Sequence, residues 1–115
     1  MAIASSLEIY EDTYQLTRFI TEWDRQLCRT FKPTIGKRAV DMCLDLFGHI
    51  ESANRTDSDR TRTYHQEQFL IKLETLKTIL RLAHDTKLMS DGQLAHASRF
   101  TTSIGKQMTA WKNRK

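Results

Sequence analysis

Apolar residues return at alternating spacings of three and four along most of the chain, the period of helices packed lengthwise on one another. The clearest stretch is a hairpin from Leu70 to Trp111, with arms LIKLETLKTILRLAHDTKL and LAHASRFTTSIGKQMTAWK joined by MSDGQ. In the second arm Leu94, Ala97, Thr101, Ile104, Met108 and Trp111 form the seam. Ser90 and Gln93 make a capping box with Asp91 at the favourable end of the dipole, so a helix is predicted over 91–113. In the first arm the seam is Phe69, Leu73, Leu76, Leu80 and Ala83, flanked by Ile79 and Leu82. A second capping box at Thr63 and Gln66 predicts a helix over 63–88. The polar run RTDSDRTR at 55–62 reads as the one real loop.

The N-terminal half repeats the pattern. Ser5 and Glu8 form a capping box, and Ile9, Thr13, Leu16, Ile20, Trp23 and Leu27 keep the spacing, which predicts a helix over 6–31. Tyr10, Tyr14 and Phe19 widen its apolar face enough to touch two neighbours, or a neighbour and another subunit. Lys32-Pro33-Thr34 stops it, because the residue before proline is pushed from the α region. Ile35, Ala39, Met42, Leu46, Ile50 and Ala53, with Cys43 and Phe47 beside them, predict the next helix over 35–54. Gly36 and Gly48 lower helix propensity, and with Gly105 they predict close approaches. The link is so short that the two helices are antiparallel neighbours. The expected fold is all-α, an up-down antiparallel four-helix bundle, and 115 residues make a single domain over 1–115.

Charge changes this picture by its distribution. The net charge is +4, but residues 1–15 carry −3, residues 16–38 carry +4, residues 39–91 carry −2 and residues 92–115 carry +5. An anionic partner fits such polarity, and solubility alone also fits it. Arg18, Arg25, Arg29 and Lys32 lie on one stripe of the predicted first helix. Arg29 and Lys32 have no acid at three or four, although the last turn's dipole also favours them. Lys37 and Arg38 sit in a first turn, where the dipole disfavours cations, which points to a surface kept basic for a partner. Lys77 and Arg81 are one turn apart beside the seam, either snorkelling at the core edge or forming a basic spot. Arg99 and Lys106 share a face that the tail Lys112-Asn113-Arg114-Lys115 extends.

The sequence carries none of the common catalytic patterns. There is no Glu-x-x-His for a di-iron bundle, no phosphate loop and no nucleophile elbow. His49, His65, His84 and His96 have no ligand spacing, and Cys28 and Cys43 read as small buried residues. No cofactor or metal is expected, nor an enzyme. The N-terminus has no signal-peptide pattern and no apolar run would span a bilayer, so a cytoplasmic protein with no membrane partner is expected.

The run LETLKTILRLAHDTKLMSDGQLAHASRFTTSIGKQMTAWK resembles the accessory variability determinant (Avd) proteins of diversity-generating retroelements. LRLAHDTKLMS at 80–90, SIGKQ at 103–107 ahead of Trp111, and TIGKR at 34–38 leading to IESANR at 50–55 carry the likeness. The resemblance implies a four-helix bundle assembled into a five-fold homo-oligomeric ring. It implies binding of the element's reverse transcriptase and of RNA or DNA, in support of mutagenic cDNA synthesis and with no catalytic residues. It also implies that Lys77 and Arg81 match basic positions of the family's third helix. The link between the first two helices is shorter than usual for that family, and Lys32-Pro33 stands where proline before a base is more typical. The four-helix-bundle family encoded within ribosomal RNA intervening sequences is the alternative, and a protein-only oligomeric scaffold is another. The expected binding residues are Arg25, Arg29, Lys32, Lys37, Arg38, Lys77, Arg81, Arg99, Lys106 and Lys112.

Overall fold

A computed structural model describes the backbone of residues 4–114 and the side chains of residues 8–114. Four helices form an all-α, up-down antiparallel bundle: α1 (Ala4–Arg25), α2 (Lys37–Arg55), α3 (Asp59–Asp85) and α4 (Asp91–Asn113). Each packs on the next, and α4 packs back on α1 to close the square. The body measures 44 × 23 × 18 Å. Its long axis is set by α3, whose 27 residues rise about 40 Å at ~1.5 Å each.

The three/four seams meet at the centre. Ile9, Leu16, Ile20 and Trp23 of α1, Leu46 and Ile50 of α2, Phe69, Leu73, Leu76 and Leu80 of α3, and Ile104 and Met108 of α4 are all buried. Ser90 caps α4 as its sequence indicates. Gln93 N donates to Ser90 Oγ at 3.1 Å, and Ser90 N donates to Gln93 Oε1 at 2.9 Å.

The largest departure is the end of α1, six residues before the expected Phe31. Gln26 N donates to Trp23 O and Leu27 N to Asp24 O, the i→i−3 bonds of a tightened last turn. This turn keeps Leu27 in the core while the chain swings outward. Arg29 and Lys32 therefore leave the helical stripe that would have joined them to Arg18 and Arg25. Cys28 is exposed for the same reason, against the expectation of burial. The chain returns through a π-helical turn, Lys32–Gly36, that runs directly into α2. Gly36 is buried here, because a Cβ would collide with the Asp24 carboxylate and press on Leu27. Gly48 has nothing near it, so no close approach explains it. Gly105 faces the Leu73 side chain, with Cδ2 3.3 Å from where a Cβ would stand, rather than a second backbone.

The other departure is α3, which starts four residues before the expected Thr63. Ser58 is its cap, with Thr61 N donating to Ser58 Oγ at 3.2 Å. Gln66 is buried and takes no part in capping. Arg62 reaches back over the end of α2, donating from Nε to Ala53 O (3.2 Å) and from Nη2 to Thr56 O (2.5 Å), and pairing with Asp59 at 2.8 Å. The run expected to be loop is thus mostly helix. One of its charges, Arg62, satisfies carbonyls at the end of α2. Ser58→Ala is expected to cost about 1 kcal/mol in urea unfolding. Thr63→Ala, at an exposed helical position, should be neutral or stabilising by a few tenths. The expected Ser5–Glu8 capping box depends on the Ser5 side chain, which lies outside the described residues, as does Lys115.

Candidate functional site

Eight of the ten candidate cations fall in three places, with Arg81 and Lys112 outside them. Arg25, Arg29, Lys32, Lys37 and Arg38 gather where α1 gives way to α2. Lys77 and Lys106 line one groove between α3 and α4, together with Leu70, Gly105 and Thr109. Arg99 lines a different groove, between α4 and α1, beside Asp12 and His96. Arg99 and Lys106 are seven residues apart on one helix, yet they serve grooves on opposite sides of it.

Ion pairs separate these residues further. Arg25 pairs with Glu22 (2.9 Å), Lys37 with Asp41 (2.7 Å), Lys77 with Glu74 (2.9 Å) and Lys112 with Glu67 (3.4 Å). Arg81 Nε lies 3.9 Å from Asp85, beyond hydrogen-bond reach. Arg29, Lys32, Arg38, Arg99 and Lys106 make no ion pair among the described residues. The side chain of Lys77 is 41% exposed and lies along apolar groove residues, as a snorkelling lysine does. Arg81, at 82%, stands free of the core edge. The two do not form one spot of a single kind.

Arg38 has a distinct setting. It borders an apolar groove made by Pro33, Thr34 and Ile35 on one side and Ile79 and Leu82 of α3 on the other. The π-helical turn builds this groove by carrying Pro33 and Ile35 alongside α3. Arg29 and Lys32, which pair with no acid among the described residues, lie on the connection that leads into it.

The words that suggested a family have structural duties. In SIGKQ, Gln107 Nε2 donates to Asp12 Oδ2 at 2.6 Å and to Ser103 Oγ at 3.0 Å, clamping α4 to α1. Gly105 makes room for Leu73, and Lys106 lines the α3–α4 groove beside it. In LRLAHD, His84 Nε2 meets Asp91 Oδ1 at 2.5 Å across the α3–α4 turn, and Nδ1 lies 3.4 Å from Asp85. In that turn Lys87 adopts φ 70°, the left-handed conformation that closes many helices.

The His84 contacts make the turn sensitive to pH. Hydrogen bonds to Asp91 and then Asp85 raise the His84 pKa above its ordinary 6.5. The same bond to His84 holds Asp91 below its ordinary 3.8. A raised histidine contributes stability that is complete below pH 6.5 and lost as pH rises through its folded value. A lowered aspartate contributes stability present above pH 3.8 and lost as pH falls through its folded value. His84 should therefore raise the melting temperature near pH 5.5 relative to pH 8, and the His84→Gln variant should lose that gain when compared with the native chain at both pH values.

One further polar feature had no signal in the sequence, and one, the burial of Cys43, follows its sequence reading. His49 and His65, sixteen residues apart, bring their Nδ1 atoms to 3.0 Å between α2 and α3. Burial, Lys72 and His65 lower the His49 pKa, with Asp45 opposing them. Cys43 is buried, and burial pushes its thiol up to about 12, so it stays protonated at neutral pH. Among the described residues no three His, Cys, Asp or Glu side chains gather where they could hold an ion. No described helix is long and apolar enough to cross a membrane. The chain matches no family model, no curated protein and no solved structure.

Proposed function

We propose that this chain is a non-catalytic accessory protein that docks the phosphate backbone of an RNA or DNA at the α1–α2 end of the bundle. In the retroelement setting that the sequence resembles, it would hold that nucleic acid beside a reverse transcriptase. One observation carries the proposal: Arg29 and Lys32 on the connection and Arg38 just beyond it have no acid paired to any of them among the described residues. The π-helical turn runs directly into α2, so Arg38 does not sit at a free helix start as its sequence position suggests. No partner within the chain accounts for these three cations among the described residues, whereas phosphate neutralisation does. Contacts of this kind position a backbone and read little sequence. The apolar groove beside Arg38 would suit a protein partner on the same end.

Fluorescence anisotropy with a labelled single-stranded RNA, repeated from 50 to 300 mM salt, tests the nucleic-acid part. The affinity should fall steeply, with a log–log slope of about 0.7–0.9 for each phosphate contact. Absence of binding at 50 mM salt, or an affinity indifferent to salt, would end the proposal. The reverse-transcriptase part is read by co-purification before and after nuclease treatment. Loss of the polymerase under both conditions would leave only the nucleic-acid contact.

A further inference from the structure

The His49–His65 contact between α2 and α3 takes no part in the proposed phosphate contact. Both residues are half-buried. Their Nδ1 atoms stand 3.0 Å apart. The ring centroids stand 5.3 Å apart, close to the sum of that contact and the two ring radii, so the nitrogens face each other head-on. Two nitrogens at this distance need a proton between them, because two facing lone pairs repel. One ring therefore carries its proton on Nδ1 and donates it. The other accepts it and carries its own proton on Nε2. An ion on the line between the nitrogens would stand well inside the ~2.0–2.1 Å bond that zinc makes to imidazole. Tyr64 sets its ring edge-on to His65, with centroids 5.1 Å apart. Asp45 of α2 and Lys72 of α3 pair beside the contact at 3.5 Å and act on His49 with opposite sign. Among the described residues α1 and α4 set no charged group against His49.

We propose that this pair is a one-proton latch, which fastens α2 to α3 while a single proton lies between the two Nδ1 atoms and lets go when acid protonates both. The first proton taken up goes to the free Nε2 of the donor ring and turns the contact into a charge-assisted bond. The second can go only to the acceptor's Nδ1. That sets two N–H groups and two cations against each other across 3.0 Å. The two steps belong to the pair rather than to either ring. Burial, then Lys72 and His65, lower the His49 pKa against the pull of Asp45, which is the direction the second step requires. A lowered histidine contributes stability that is complete above pH 6.5 and lost as pH falls through its folded value. His84 works in the opposite sense at the far end of α3. Acid therefore slackens α3 near its start and fastens the turn after its end. Arg62 still holds the α2–α3 end, because its bonds to Ala53 O and Thr56 O do not titrate in this range.

Long-range nitrogen–proton NMR spectra of the histidine rings test the latch in the native chain at pH 7.5. One ring of the pair should be the Nδ1–H tautomer and the other the Nε2–H tautomer. Nε2–H on both would leave no proton between the nitrogens and would overturn the proposal. Urea unfolding supplies the second arm, in full-length chains carrying His84→Gln so that the opposing titration is absent. His49→Gln offers His65 a carboxamide that can share a hydrogen bond but does not titrate. Between pH 7.5 and pH 5.0 the folding constant of the chain that keeps His49 should fall roughly tenfold relative to the chain carrying His49→Gln, because only the former sets two cations face to face. Protonation elsewhere is common to both chains and cancels in the ratio. A ratio unchanged over that range would overturn the latch. His65→Gln gives the same comparison from α3 if His49→Gln does not fold.

Discussion

Trp23→Ala is expected to lower the unfolding free energy by about 3–5 kcal/mol, the range for emptying a large aromatic site. Trp23→Phe should cost about 1–3 kcal/mol, much of it from a carbonyl left without its donor. Trp23 lies in the last full turn of α1, buried, where it closes one end of the core. Its Nε1 donates to Leu88 O at 2.9 Å, inside the turn between α3 and α4. That turn returns few bonds to the rest of the bundle otherwise. Leu88 N and Met89 N both donate to Ala83 O, within the end of α3 itself. The indole therefore joins three helices at the place where the chain reverses. A domain of this size holds roughly 5–15 kcal/mol in total, so the alanine variant should sit near its folding threshold. Urea titrations followed by circular dichroism read both numbers. A phenylalanine variant within a few tenths of the native chain would show that the Leu88 carbonyl is satisfied by solvent and that the bond holds nothing.

The seams were legible because burial in a bundle depends on a period, and the period survives small errors at the ends. Phe69 to Ala83 and Ala97 to Trp111 face inward as their spacing requires. Where a helix stops depends on bonds that spacing does not record. Leu27 keeps the seam's rhythm and is buried, yet it sits on an i→i−3 turn beyond the end of α1. A period alone cannot distinguish that from a continuing helix. The start of α3 was missed for a related reason. Ser58-Asp59 is a good capping pair, but it lies inside a charged run whose arginine reads as solvated. The signal available was Ser58 with an acid directly after it, at the favourable end of the dipole.

The candidate site was legible as a set of residue types and illegible as a surface. Lys77 and Lys106 meet across one groove because α3 and α4 are antiparallel neighbours, and the hairpin pattern already contained that. Arg99 goes to another groove because the ridge of α4 divides its two sides. The Asp12–Gln107 clamp joins residues 95 apart and is invisible to any local pattern. It also changes what SIGKQ means. Two of its five residues hold α1, and Gly105 yields to Leu73, so only Lys106 is left to meet a partner.

Replacing Arg29, Lys32 and Arg38 together by alanine should separate binding from stability. Each lost phosphate contact lowers the log–log salt slope by about 0.7–0.9, so the triple variant should lose about 2–3 from it. The change should be similar for RNAs of different sequence, since backbone contacts carry no base readout. Stability should move little, because none of the three has an ion pair to lose among the described residues. Lys77→Ala with Lys106→Ala is the matched control, taking two cations from the α3–α4 groove. If the control lowers the slope and the triple variant does not, the nucleic acid lies along α3 and α4 and the α1–α2 end is not its site. If neither changes the slope, phosphate neutralisation by these residues is wrong. Equal loss from both sets would place the backbone across the length of the bundle, from the connection at one end to Lys106 near the other.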